Sequence, residues 1–425
     1  MTTAGSALAA TPLPDGVAPG GHRRSWRASA THRSWLDTEF RRLVRFSGEP
    51  RHPLGGFAWL DEHGDPRGDQ PVHTWITARM THVHALATLC GLPESAPLVD
   101  HGIAALTGPL HDHAHGGWFL AVDADGSPLP RKEAYTHAFV VLAASSALAA
   151  DRAGADDLLS AALDVVEQRF WEEEAGRVAE SFAQDWSEPE PYRGANSNMH
   201  TVEALLAAGD VLGDARLRDR ALTIATHLID QVARAHGWRV VEHFDRAWRE
   251  DLAFNRDTPA HPFRPYGTTV GHWLEWARLL LHLEAASDAP PSWLQPAAIE
   301  LFRAAVEVGW AADGSPGFVY TLGWDDEPVV RTRMHWVVAE AIAAASALHE
   351  RTEHPVYEAW YRALWDHAAR LFIDRRDGSW HHELSPSLRP AAAAWRGKPD
   401  LYHAVQATLL PQLQLAPSLA AQLAG

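Results

Sequence analysis

The feature that most constrains this chain is a period of about 60 residues. A glycine followed by an aromatic or β-branched segment and then a polar turn occurs at Gly56, Gly117, Gly176, Gly237, Gly317 and Gly378, with successive separations of 61, 59, 61, 80 and 61 residues. Roughly twenty residues after each glycine an Ala/Leu-rich helical stretch begins, near Trp75, Tyr135, Asn198, Gly271, Met334 and Tyr402. A second helical stretch follows, as at 156–170, 216–235, 296–308 and 357–372. The 216–235 stretch places apolar residues at i, i+3 and i+4 with charges between them, the pattern of a helix covered on one face. The unit is therefore helix, helix, short hairpin.

Six such units, the more apolar helix first, predict an all-α (α/α)6 barrel. It has six inner and six outer helices and short β-hairpins at one end. An open solenoid is the alternative, but no polar cap stands out at either end. One domain is expected over 24–425, after a disordered tail at 1–23. The 80-residue spacing holds an insertion at 251–268 with three prolines and little periodicity, expected to form a lid over the central cavity.

Composition removes several function classes. Of 425 residues, 46% are hydrophobic and 21% charged, an ordinary globular balance. The formal charge of −17 argues against nucleic acid or an anionic membrane as partner. Cys90 is the single cysteine, which excludes a disulfide framework and a cysteine-built metal site. The first 21 residues lack the apolar core of a signal peptide, and no run reaches the 18 apolar residues of a membrane span. A cytoplasmic protein is expected.

Polar residues of the inner helices carry the chemistry. An imidazole or guanidinium recurs at Arg79, His137, His200, His272, His335 and His403, at separations of 58, 63, 72, 63 and 68 that follow the repeat. Residues three apart share a helix face, which makes His200 and Glu203 neighbours, and likewise His272 and Glu275. A carboxylate beside an imidazole fixes its tautomer and raises its basicity, as proton transfer near neutrality requires. Arg79 is placed to stabilise a developing enediolate, and Trp75, Trp336 and Phe263 offer flat apolar faces for a sugar. Two His-x-x-Glu pairs also have metal-ligand spacing, yet no metal and no cofactor are expected. The 111–115 cluster, His-Asp-His-Ala-His, reads as a solvated turn, and Trp360 and Trp365 as packing.

Five stretches together resemble the N-acylglucosamine 2-epimerase superfamily, most closely its metal-independent aldose–ketose isomerase branch. They are Thr74-Trp-Ile-Thr-Ala-Arg79, Asn196-Ser-Asn-Met199-His200-Thr-Val-Glu203, Gly271-His272-Trp-Leu-Glu275-Trp, Trp336-Val-Val-Ala-Glu340 and Lys398-Pro-Asp-Leu-Tyr-His403. The likeness spans about residues 24–415. It implies the same barrel and an interconversion of aldose and ketose through a cis-enediol, with D-mannose to D-fructose (and D-lyxose to D-xylulose) the expected reaction. It implies His272 and His403 as the acid/base pair. It implies Arg79, Asn196, His200, Glu275 and Glu340 as residues that bind a monosaccharide or orient the pair, and Trp75, Met199, Phe263 and Trp336 are further expected at the sugar site. His335 stands where an aromatic residue is expected, and 380–383 is where members vary with substrate. Sulfoquinovose isomerisation, C2 epimerisation, glycoside hydrolysis through Glu203, Glu275 or Glu340, and a non-catalytic sugar-binding toroid are the competing readings.

Overall fold

The computed structural model describes residues 11–14, 25–394 and 396–425. Thirteen α-helices dominate it: α1 (Ala30–Phe46), α2 (Thr74–Leu89), α3 (Ala96–Thr107), α4 (Ala134–Ala149), α5 (Ala155–Val165), α6 (Ala195–Leu212), α7 (Ala215–Ala225), α8 (Val270–Ala285), α9 (Leu294–Ala304), α10 (His335–Thr352), α11 (Pro355–Leu371), α12 (Tyr402–Leu409) and α13 (Leu419–Ala424). The even-numbered helices α2 to α12 form a closed inner ring, since each packs on the next and α12 returns to α2. Their odd-numbered neighbours α1 to α11 form the outer ring, and α1 closes the circle by covering α12. This is the expected (α/α)6 barrel.

The two rings differ in sequence for a physical reason. Inner helices are enclosed on all sides: in α4, Ala134 and Thr136–Ala147 are buried without a break. Small Ala, Ser and Thr side chains let such helices approach closely. Outer helices keep one polar stripe, so α11 buries Val356, Tyr357, Trp360, Tyr361, Leu364, Trp365, His367 and Ala368 and exposes the charges between them. Trp360 and Trp365 are packing, as expected.

The N-cap residues of the inner helices α2, α4, α6, α8, α10 and α12 make no side-chain capping bond. In five of them the first amide donates instead to a carbonyl of the following hairpin: Thr74 to Leu120 (3.1 Å), Ala134 to Glu180 (2.9 Å), Ala195 to Glu242 (2.9 Å), Val270 to Tyr320 (3.3 Å) and His335 to His382 (3.0 Å). Antiparallel pairs two or three residues long continue each contact, for example Gly194 with His243 and Met334 with Glu383. At the seam Lys398 N donates to Leu60 O at 3.0 Å. A belt of hairpins therefore surrounds the end of the barrel where the inner helices begin. Buried ion pairs brace it at matching places: Asp112 with Lys132 (2.8 Å), Glu172 with Arg193, Asp313 with Arg333 and Asp374 with Lys398 (2.7 Å).

Two expectations need correction. The predicted disordered tail includes Thr11–Pro14, which is packed: Trp360 Nε1 donates to Pro12 O at 2.7 Å and Thr11 is buried. Residues 1–10 and 15–23, the rest of that tail, lie outside the described residues. The 111–115 turn is solvated at His113, but Asp112 is buried against Lys132. No described helix is long and apolar enough to cross a membrane.

Candidate active site

The hairpin belt opens onto a cleft at the end of the barrel where the inner helices begin. Trp75, Arg79, Tyr135, Asn196, His200, Phe263, His272, Glu275, His335, Trp336 and His403 all line it. So do Pro262, Pro265, Tyr320, His382, Pro399 and Asp400, which the sequence alone does not single out.

His272 and His403 stand on either side of Trp336, whose ring centroid is 5.3 Å from the first imidazole and 5.7 Å from the second. Each imidazole has its Nδ1 held by a carboxylate. His272 Nδ1 lies 2.9 Å from both oxygens of Glu242. His403 Nδ1 lies 2.9 Å from Glu340 Oε1. An Nδ1–H donated to a carboxylate leaves Nε2 as the free base on each ring. Burial lowers the His403 pKa below the ordinary imidazole value, and the Glu340 charge opposes that shift.

Beneath these rings three carboxylates share one guanidinium. Arg278 Nε donates to Glu340 Oε2 at 2.8 Å, and its Nη2 lies 3.6 Å from Glu203 and 3.5 Å from Glu275. Tyr402 and Gln406 also donate to Glu203. Burial, then the neighbouring Glu340 charge, push Glu275 well above the usual carboxyl range. Three acids with one base in a closed space favour a proton on one of them. His200 Nδ1, Glu203 and Glu275 each offer an atom within 4.8 Å of the others, the one described group able to hold a metal ion. Arg278 already supplies positive charge to both of its carboxylates.

Arg79 is fixed on the facing wall. It donates to Asp400 at 3.2 Å and to Tyr135 Oη at 2.8 Å, and its guanidinium carbon lies 4.3 Å from the Phe139 ring centroid and 5.0 Å from that of Trp75. Arg79 Nε, Asn196 Oδ1, His200 Nδ1 and Glu275 Oε1 are buried without a hydrogen-bond partner, on residues that line the cleft. His335 and His382 stack at 3.8 Å and 17°, closing the remaining side.

Four sequence-based expectations change. Met199 is fully buried in the apolar core and does not line the cleft, because as the residue before His200 it is turned about 100° from that ring around the helix. Glu340 sits behind His403 and orients it without reaching the cleft lining. The carboxylate of His272 is Glu242, not Glu275, which lies instead 3.8 Å from His200. His137, the second member of the recurring cationic set in chain order, is structural: its Nε2 accepts from Trp118 N at 3.1 Å and its Nδ1 contacts Glu133 O at 2.7 Å.

A signal for the missed residues does exist in the repeat. Leu60, Leu120, Glu180, Glu242, Tyr320 and His382 follow their repeat glycines by three to five residues and supply the carbonyls of the belt. Glu242, Tyr320 and His382 turn their side chains to the site from this shared position.

A curated D-mannose isomerase from Thermobifida fusca is 59% identical over 401 residues, covering 94% of this chain and 98% of the relative. One from Pseudomonas cannabina pv. alisalensis is 52% identical, covering 94% and 97%. A crystal structure of a D-mannose isomerase superposes with a TM-score of 0.84 at 29% identity, covering 89% of this chain and 97% of that one. The family model for N-acylglucosamine 2-epimerase matches residues 55–407. With that span matched, the chain belongs to the N-acylglucosamine 2-epimerase family.

Proposed function

We propose that this chain isomerises D-mannose to D-fructose, and D-lyxose to D-xylulose, by acid/base catalysis through a cis-enediol. The observation that carries this reading is the pair of carboxylate-held imidazoles flanking Trp336 in one cleft. The close relatives named D-mannose isomerase support the choice of sugar.

In this reading the sugar lies against Trp336, Trp75 and Phe263 with its hydroxyls on Asn196, His200 and Glu275. His272 gives a proton to the ring oxygen and recovers one from the anomeric hydroxyl as the pyranose opens. His403 Nε2 takes the C2 proton and returns it to C1 on the same face, while the proton of O2 passes to O1. Arg79, whose charge reaches His403, stabilises the enediolate oxygen. Glu242 and Glu340 steady the imidazolium that forms on each side. In this reading the protein acts in the cytoplasm and without a metal or cofactor.

A neutral substrate fits the charges better than a sulfonated one. The guanidinium of Arg79 is already paired with Asp400, and that of Arg264 with Glu190. Glycoside hydrolysis fits poorly, because Glu203 and Glu340 are buried around Arg278 and away from the cleft lining.

The test is incubation of the purified protein with D-mannose in D₂O containing EDTA. Fructose should form, with partial transfer of the original C2 hydrogen to C1. Glucose as main product would replace the reading with C2 epimerisation. No product, or product only after a metal is added, would end it.

A further inference from the structure

The insertion at 251–268 reaches the cleft through Pro262, Phe263 and Pro265. Phe263 is 42% exposed, with its ring 6.4 Å from Trp75 and 6.2 Å from Tyr135. Apart from Thr268, which is in a two-residue strand, the insertion has no regular structure to hold it in place. Polar contacts fix it instead. Asn255 Nδ2 donates to Arg264 O at 2.6 Å, and His243 Nε2 contacts Pro265 O at 2.8 Å.

The strongest anchor is the next side chain after Phe263. Arg264 makes a two-pronged bond to Glu190, at 2.7 and 3.1 Å, and lies 3.5 Å from Glu180 Oε1. Its guanidinium carbon is 4.1 Å from the ring centroid of Tyr192. Glu180 is 8% exposed and holds the same belt position in its repeat that Glu242 holds beside His272. The other cation at this socket, Arg131, is 3.4 Å from Glu190 and partly open to solvent. Withdrawing Arg264 would leave a buried carboxylate without its counter-charge, a costly state. Planar, two-pronged pairing also sets direction, which a point charge does not. Arg264 itself is absent from the cleft lining.

We propose that Arg264 is a positioning residue for sugar binding: its ion pair with Glu190 and Glu180 fixes Phe263 across the mouth of the cleft. Sugar affinity thus depends on a guanidinium that touches no sugar. The proposal rests on the isomerase reading above, and its test is arranged so that the two can fail separately.

Steady-state kinetics on D-mannose are measured for Arg264→Met, Arg264→Lys, Phe263→Ala and the Arg264→Met/Phe263→Ala double variant. Arg264→Met should raise KM about tenfold with kcat within about twofold, the mark of lost uniform binding. Lysine should restore part of the loss. The double variant should be no worse than the poorer single one, since both remove the same contact. An unchanged KM, or effects that multiply, would overturn the proposal.

Hydrogen–deuterium exchange of the free protein supplies a readout that needs no turnover. In Arg264→Met, and independently in Glu190→Gln, amides of 251–268 should exchange faster while those of α8 keep their protection. Unchanged exchange in the insertion would overturn the proposal. So would faster exchange throughout the chain, because Arg264 would then support the fold and not the segment. Wild-type protein that leaves mannose untouched would sink the isomerase reading while the exchange result stands on its own.

Discussion

Glu242 and Glu340 each steady one central imidazole, but they differ in what else they hold. Glu242 gives both oxygens to His272 and accepts a bond from Thr269 N at 3.3 Å. Glu340 divides itself between His403 and Arg278. Glu242→Gln keeps the shape and removes the carboxylate charge that holds His272 Nδ1. It should lower kcat about 100-fold with KM nearly unchanged in steady-state assays, and an unaltered kcat would dismiss Glu242 from the chemistry. Glu340→Gln makes a pH prediction. Glu340 raises the His403 pKa against the larger effect of burial, so its loss lowers that pKa further. A base that must be neutral then stays active in more acid solution. The acid limb of kcat/KM should move to lower pH, and a limb that stays put or moves up would refute the assignment. The sequence makes His272 and His403 legible because their spacing follows the repeat. It misleads about their partners, because the i, i+3 rule finds only neighbours on one helix. Glu242 comes from a hairpin and Glu340 from a different inner helix, 30 and 63 residues away from the rings they hold.

The hairpins are the elements that turn a ring of helices into a site, and their glycines are the least replaceable part. All six repeat glycines have positive φ, from +61° at Gly176 and Gly237 to +96° at Gly317. Such conformations are costly for other residues, which is why the period survives in a sequence whose helices differ so much. Gly116 and Gly117 separate backbone strain from crowding, as their φ values are +77° and +70°. A Cβ on Gly116 would meet nothing within 4 Å, whereas one on Gly117 would lie 2.7 Å from Trp186 and 2.8 Å from His137 Nε2. Gly116→Ala should cost about 1 kcal/mol and Gly117→Ala about 2–4 kcal/mol in denaturant unfolding. Equal losses would show that strain alone fixes the glycines. The repeat is legible for this reason, and so are the helix starts. What pairs with each hairpin is not: strands of two or three residues are too short to show an alternating pattern. The belt that links each hairpin to the preceding inner helix therefore emerges only in three dimensions.

Across the whole molecule, the abundance of histidine reads at first as catalytic capacity, but most of the buried rings are kept neutral by the fold. His82, His84, His137, His200, His282, His335 and His367 are all buried. Burial lowers their pKa values from 6.5 to about 4 at His82, His200, His282 and His367. It lowers them to about 3 at His84, His137 and His335. Between pH 6.5 and these values the unfolded chain binds protons that the folded chain does not, so stability falls as pH falls. Three carboxyls pull the other way in this range. Glu133, raised to about 7 by burial and then Glu180, stays protonated when folded, and Glu180 and Glu275 are raised too. These carboxyls are ionised in the unfolded chain above about pH 4.5, so acidification favours the fold at their positions. Each group acts with a weight on the order of 1.4 kcal/mol per pH unit, and seven histidines outweigh three carboxyls. The well-paired acids do not enter this window: Glu190 and Asp374, held near 2, lose their stabilising bonds only in stronger acid. The melting temperature should therefore drop by at least about 5 °C between pH 7 and pH 5 in calorimetry. It should do so whether or not the active site is intact, so Glu242→Gln, which alters no ring of this set, should show the same fall. A melting temperature that stays level or rises on acidification would mean that these imidazoles take up protons inside the fold.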